Sequence, residues 1–169
     1  MPTTTKSSES IIDNAYSSAG GINIAVSGST DLLFYGAAGY GGTALMGGLP
    51  VNAWTHLAVV RHNGIDTFFL NGTAAIGLVA DMNPYTKTSV GIGGDLAGGF
   101  GSFVGEIARI RISKVARYLT TFTPSLTDPP LTSDSDTLFL LDPTNSSFVN
   151  GSSGGAVMTN NGSVTFVVL

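Results

Sequence analysis

The chain has 169 residues, of which 43 % are hydrophobic and 11 % charged, with a net charge of −4 and no cysteine. This length fits one domain, two at most, with enough apolar material for a sizeable core. The lack of cysteine excludes disulfides and thiol catalysis, and the small number of Lys and Arg residues argues against a nucleic-acid partner. The N-terminus has no apolar core typical of a signal peptide, and the apolar runs are of strand length. We therefore expect no membrane partner.

Strand-like segments alternate with Gly- and Asn-rich turns along most of the chain. The clearest hairpin signal is Asn63-Gly64, because both residues tolerate positive φ. Helical tendency is limited to one turn at Lys114–Leu119. The pattern predicts an all-β fold, a two-sheet antiparallel β-sandwich or jelly roll. The predicted strands are Gly21–Val26, Leu32–Tyr35, Thr55–Arg61, Thr67–Leu70, Ala75–Val79, Ser89–Ile92, Phe103–Ser113, Thr137–Leu141 and Val164–Leu169.

Two segments are predicted to lie outside the strands of the sandwich. Residues 1–10 form a Ser/Thr-rich N-terminal arm, which we expect to be mobile unless a neighbouring chain holds it. Residues 124–136 are Pro-rich and should run extended over the surface, because proline lacks a backbone donor and disfavours helices and central strands. The single jelly-roll domain is therefore expected to span residues 11–169.

The motifs that would carry chemistry are weak. His56 and His62 share one face of a predicted strand, and Asp66 is the only nearby third metal ligand; we favour a packing role for His56 and a turn position for His62. Residues 151–155 match G-x-S-x-G without the strand–turn–helix context that a nucleophile needs. No carboxylate pair stands out as that of a glycosidase. We predict no catalytic residue, no metal site and no cofactor, and hence a protein that is not an enzyme.

Five blocks within residues 53–123 carry a family pattern. Their order and spacing resemble the laminin G-like, concanavalin A-like jelly roll, and the last block is similar to the version found in phage virion proteins. The resemblance implies two sheets packed face to face, with Trp54, Leu57, Val59 and Phe69 in the core between them. The blocks are Ala53–Arg61, Phe68–Gly72, Val90–Gly94, Phe103–Ile112 and Val115–Tyr118 followed by Phe122–Pro124.

The sequence departs from this family pattern at its ends. The opening strands of the family have no clear counterpart ahead of Ile11, whereas a similar run begins at Thr137–Asp142. We predict that the C-terminal third supplies those sheet positions. Circular permutation and strand exchange between subunits are both open routes to that arrangement.

The resemblance implies two alternative functions. The first is a structural protein of a bacteriophage particle, specifically a capsid decoration (cement) protein. It would bind the major capsid protein or other virion proteins, form a homo-oligomer such as a trimer, and reside in the virion after assembly in the host cytoplasm. The second is a carbohydrate-binding, receptor-recognition module of a tail fibre or spike. In that case Tyr40, Tyr85 and Asp95 are expected in rim loops, where they would stack on and hydrogen-bond a glycan.

Overall fold

The part of the chain that the structure describes is built from β-strands and connecting turns. The computed structural model describes residues 8–14, 20–28, 31–36, 43–74, 79–96, 98–124 and 131–141. By its internal contacts the chain divides into two compact units, Met1–Gly105 with Tyr118–Leu126, and Glu106–Arg117 with Thr127–Leu169. These described ranges contain no helix of the length and hydropathy needed to cross a membrane.

The strands follow one another at short intervals, as the turn-rich sequence predicts. In chain order they are β1 (Ser8–Asp13), β2 (Asn23–Ser27), β3 (Asp31–Tyr35), β4 (Thr43–Gly48), β5 (Leu57–His62), β6 (Ile65–Leu70), β7 (Thr73–Ala74), β8 (Val79–Ala80), β9 (Gly91–Ile92), β10 (Gly101–Ser102), β11 (Ile110–Ser113) and β12 (Thr137–Leu141).

The first unit contains a six-stranded sheet in the order β10-β1-β2-β3-β4, with β9 also paired to β1. Strand β1 is antiparallel to β2 and β9 and parallel to β10. It therefore lies inside the sheet, with neighbours on both sides.

The same unit contains a four-stranded sheet centred on β6. Strand β5 pairs with one edge of β6, and β7 and β8 pair with the other. Asn63 and Gly64 join β5 to β6 with φ values of 50° and 73°, so the predicted Asn-Gly hairpin is confirmed. Asn71 and Gly72, with φ values of 47° and 77°, join β6 to β7 in the same way.

Side chains from the two sheets meet in one apolar core. Phe34 of β3 and Phe68 of β6 are both fully buried, and their ring centroids are 4.9 Å apart. Leu57 and Val59 of β5 pack against the same core. Because successive side chains of a strand point to opposite faces, the intervening residues of β5 and β6 lie on the outer face of the four-stranded sheet. The predicted two-sheet β-sandwich is thus confirmed.

Two of the four predicted core residues have a different place. Trp54 lies ahead of β5 in an irregular segment, where 44 % of its surface is exposed. Phe69 is buried, but it lies next to the core-facing Phe68 and therefore points to the outer face. The predicted alternation of side chains between the two faces of β6 is correct, but the prediction that Phe69 faces the core is wrong.

The alternation of residues from Phe103 to Ser113 predicts one continuous strand, and this prediction is wrong. Only Ile110–Ser113 is a strand, and Arg109 immediately before it has a φ of 53°, which interrupts extended backbone. The helical turn predicted at Lys114–Leu119 is also wrong, because these residues form bends and irregular structure.

In the second unit, β11 and β12 form a two-stranded antiparallel sheet. The turn before β12 is organised by Asp134, whose carboxylate accepts hydrogen bonds from the Thr137 hydroxyl and the Asp136 amide. Arg117 binds both oxygens of Asp134 at 2.7 and 2.8 Å, and these hydrogen bonds hold the pKa of that carboxyl below its ordinary value.

The predicted terminal segments lie only partly within the described residues. Of the arm at 1–10, residues 8–10 belong to β1, and residues 1–7 lie outside the description. Of the Pro-rich segment at 124–136, residues 125–130 lie outside it, and so do residues 142–169. The mobile arm and the permuted or exchanged terminal strands therefore stay predictions.

Candidate functional site

A depression of about 230 Å³ lies on the outer face of the four-stranded sheet. Its floor comes from β5 and β6, and one wall comes from the segment that follows residue 117. The lining is apolar apart from an imidazole and two hydroxyl groups. The residues that line it are Val60, His62, Ile65, Thr67, Tyr118 and Leu119.

The wall belongs to a segment that we call the strap, residues 118–124. Phe122 packs on Phe69, with ring centroids 5.5 Å apart, and its amide donates to the Gly72 carbonyl oxygen at 3.0 Å. The Tyr118 ring stacks on the Phe122 ring, with the centroids 3.8 Å apart and an angle of 9° between the ring planes. A Cβ at Gly72 would collide with the Phe122 carbonyl oxygen, so only glycine permits this close approach.

His56 lies beside the strap. Its ring is nearly perpendicular to those of Tyr118 and Phe122, at centroid distances of 5.9 and 5.4 Å. Its backbone amide donates to Asn71 Oδ1 at 2.9 Å, which ties it to the β6–β7 turn. Burial lowers the pKa of the His56 imidazole. His56 is therefore a packing residue, as the sequence favours, whereas His62 is exposed at the end of β5.

The opposite, core-facing side of the same hairpin holds a buried ion cluster. Arg61 Nε lies 3.2 Å from Asp66 Oδ1, and Arg61 Nη2 lies 2.9 Å from Asp81 Oδ2. Both carboxylates are buried. Arg61 Cζ lies over the Tyr85 ring, 4.0 Å from its centroid. Arg61 Nη1 donates a hydrogen bond to the Asn83 carbonyl oxygen at 2.6 Å.

Burial is the main cause of the pKa shifts of two members of this cluster, Asp66 and Tyr85. It raises the pKa of the Asp66 carboxyl although the Arg61 charge opposes the shift. Burial, followed by the charge of Asp66, raises the pKa of the Tyr85 hydroxyl, which donates to Asp66 Oδ2 at 3.3 Å. Since Asp66 faces Arg61 and the core side, it does not join His56 and His62 in a metal site. The described residues contain no group of three or more metal-ligating side chains.

The three residues predicted for glycan contact fall in separate places. Tyr40 lies outside the described residues. The hydroxyl and ring of Tyr85 are engaged by the ion cluster, although 42 % of its surface is exposed. Asp95 lies in the Gly-rich loop after β9, where its carboxylate accepts a hydrogen bond from the Phe100 amide. The contact of these residues with a glycan stays a prediction.

The Gly-rich loop closes over the outer face of the six-stranded sheet. Asp13, which is fully buried, accepts hydrogen bonds from the Leu96 amide at 2.7 Å and from Asn23 Nδ2 at 3.1 Å. The Gly93 amide donates to the Ile11 carbonyl oxygen at 2.8 Å. These hydrogen bonds hold the Gly-rich loop close to the sheet.

The family comparison agrees with this architecture. A laminin G family model, described as the concanavalin A-like lectin/glucanases superfamily, matches residues 1–120, which is more than half of the chain. The chain belongs to this superfamily. Searches among curated proteins and among solved structures gave no match.

The family match extends further toward the N-terminus than the pattern at residues 53–123. It starts at residue 1, and β1 begins at Ser8, so the first three residues of one strand lie ahead of Ile11. The depression and the strap were not predicted from the sequence. The aromatic pair Tyr118 and Phe122 was the available signal, because phenylalanine is often buried and tyrosine is intermediate in burial.

Proposed function

We propose that this concanavalin A-like domain is a non-enzymatic structural protein of a bacteriophage particle. In this proposal it decorates the capsid as a homo-oligomer, binds neighbouring major capsid subunits, and resides in the virion after assembly in the host cytoplasm. The similarity of the closing block, Val115–Tyr118 and Phe122–Pro124, to phage virion domains supports this context.

The observation that carries the proposal is an exposed apolar patch at the tip of the β5–β6 hairpin. Ile65 and Leu119 line the depression and are 43 % and 62 % exposed. Met82, which is 82 % exposed, places its sulfur against Gly64, next to Ile65. We call Ile65, Met82 and Leu119 the hairpin patch. Exposed apolar side chains grouped near the tip of one hairpin are typical of surfaces that bind another protein.

The buried carboxylates support a structural rather than a catalytic role. Asp66 and Asp81 are bound by Arg61, and Asp13 accepts a backbone amide and the Asn23 side chain. A carboxylate that acts as general acid or base must reach a substrate. In this chain each of the three is engaged in stabilising the sandwich.

The decoration role is tested by locating the chain on purified particles. Difference imaging by cryo-electron microscopy would compare native particles with particles made without this chain. We expect the missing density on the head, at local symmetry axes.

Leu119→Asp should reduce the amount of chain per particle, because an ionised carboxylate in the hairpin patch opposes burial. Val51→Asp is the matched control, since Val51 is also exposed but lies in the turn before β5. Density at the tail tip, or equal occupancy for both variants, would contradict the proposal.

The depression supports glycan recognition as a second candidate. Thr67 and Tyr118 provide hydroxyl groups beside the apolar Val60, and sugars are bound by such combinations of polar groups and apolar surface. A glycan array would identify a ligand, and Thr67→Val should weaken its binding while the exposed Thr73→Val leaves it unchanged. An array without any bound glycan would refute this candidate.

A further inference from the structure

We propose that the strap is a pH-sensitive clasp, closed on the outer face of the four-stranded sheet while His56 is neutral and opened when acid protonates His56. This inference concerns the conformation of the domain and holds whichever partner the domain binds.

The first argument is the position of His56 relative to the two stacked rings. Tyr118 and Phe122 are parallel and 3.8 Å apart. A ring above the face of this stack would be farther from one member than from the other by nearly that spacing. The His56 distances, 5.4 and 5.9 Å, are instead nearly equal. His56 therefore lies beside the stack, where both rings present their edges.

Those edges carry the positive end of the ring quadrupole, whereas a cation is attracted to the negative face. A neutral imidazole packs well against aromatic edges. An imidazolium in the same place meets two positive edges, so the arrangement of Tyr118 and Phe122 opposes protonation of His56.

The second argument is the desolvation of the imidazole. His56 Nδ1 is buried and has no hydrogen-bond partner within the described part of the chain. A protonated ring would carry a buried N–H without an acceptor, which costs free energy. The lowered pKa of His56 has the same cause, its burial.

The groups facing His56 do not offset this cost. The strap contributes Tyr118 and Phe122, and the β6–β7 turn contributes the amide of Asn71. Of these only the phenol can titrate, and phenols are neutral throughout the acid range. The two charged residues of the hairpin, Arg61 and Asp66, engage each other on the core-facing side of the sheet.

Opening of the strap would change the surface of the domain. Phe122 covers Phe69, which is only 1 % exposed while the strap is closed. Tyr118 and Leu119 form one wall of the depression. Acidification should therefore expose Phe69 and, in the same step, remove one wall of the depression.

The sign of the pH dependence follows from linkage. The open strap leaves His56 in water, with its ordinary pKa of 6.5, while the closed strap holds the pKa lower. Between these two values the open state binds one more proton than the closed state. The opening equilibrium constant should consequently rise as the pH falls from 6.5 to the pKa of the closed state, by at most about tenfold per pH unit, and level off below that pKa.

The test is an NMR titration of the labelled full chain from pH 7.5 to 5. The His56 ring signals report its pKa, and hydrogen exchange of the Phe122 amide, corrected for intrinsic exchange, reports strap opening. We expect a His56 pKa below 6.5 and a loss of Phe122 protection between pH 6.5 and that pKa, at a slope of at most about tenfold per pH unit. The Asn14 amide, bonded to the Ile22 carbonyl oxygen in the other sheet, should keep its protection and so exclude global unfolding.

Two variants separate His56 from the other histidine of the chain. His56→Phe keeps an aromatic ring without a titrating group, so Phe122 protection should lose its pH dependence. His62→Gln should retain the pH dependence of the unaltered protein. A His56 pKa at or above 6.5, a pH-independent Phe122 amide, or a pH dependence that survives in His56→Phe would each overturn the proposal.

Discussion

Replacement of Arg61 by methionine would leave two carboxylates buried without the guanidinium that binds them. Asp66 and Asp81 are 0 % and 2 % exposed. Removing one partner of a buried ion pair typically costs 3–5 kcal/mol. Because 23 % of the Arg61 side chain is exposed, water can enter the site, and we expect about 3 kcal/mol, near the low end of that range. This loss is a large part of the roughly 5–15 kcal/mol that stabilises a typical domain.

The pH dependence of this loss has a definite sign. Burial raises the pKa of Asp66 above 3.8 even with Arg61 present. A carboxyl whose pKa is higher in the folded state binds protons better there, so folding gains stability as pH falls through the folded pKa towards 3.8. Without Arg61 the pKa of Asp66 should rise further. The destabilisation by Arg61→Met should therefore be smaller at pH 5 than at pH 7.

Urea unfolding followed by circular dichroism measures both quantities. Arg117→Met is the matched control, since it removes an arginine that binds the exposed Asp134 and should cost much less. Adding Asp66→Asn and Asp81→Asn to Arg61→Met should restore much of the lost stability by removing the uncompensated charges. A loss below about 1 kcal/mol at pH 7, of the size expected for an exposed pair, or an equal loss at pH 5, would refute the reasoning.

Three further substitutions test the packing around the two sheets. Gly72→Ala should cost about 1–3 kcal/mol, because alanine disfavours the φ of 77° and its Cβ would meet the Phe122 carbonyl oxygen; urea unfolding and faster Phe122 amide exchange would show it. Phe68→Ala should lower the free energy of unfolding by about 3–5 kcal/mol, since the ring is fully buried in the core. Asp13→Ala should cost about 1–3 kcal/mol by leaving the Leu96 amide unpaired, and should release the Gly-rich loop to proteolysis. Intact stability in any of these variants would contradict the contact assigned to it.

Local chemistry made the hairpins of the four-stranded sheet predictable. Asn63-Gly64 and Asn71-Gly72 adopt positive φ at both residues, which is the property that the dipeptide supplies by itself. The alternation of core-facing and outward-facing side chains in β5 and β6 was equally predictable, because each strand extends over six residues.

Strand β1 was not predictable in this way. Ser8–Asp13 is polar at four of its six positions. It is a strand because β2, β9 and β10 provide hydrogen-bonding partners on both sides. Strand formation of this kind depends on tertiary context more than on intrinsic propensity. The same holds for Phe69, whose burial depends on the strap placed over it.

The candidate site was predictable only in its parts. A packing role for His56 was a sequence prediction, but the meeting of His56 with Tyr118 and Phe122 joins segments far apart in the chain. Tyr85 was predicted to lie in a rim loop and contact a glycan, and nothing in its neighbourhood in the sequence indicates Arg61 above its ring. Long-range contacts of this kind leave no periodic signal in one sequence.

The interior position of β1 affects the way in which this chain folds during synthesis. Its partner β2 is made soon after it, but the partners on its other side, Gly91–Ile92 and Gly101–Ser102, are made much later. A nascent chain therefore presents one unpaired edge of β1 until residue 102 has left the ribosome. Contacts between distant residues slow folding, and an unpaired strand edge can pair with another chain. A low density of nascent chains should therefore favour correctly closed sheets over pairing between two copies through β1.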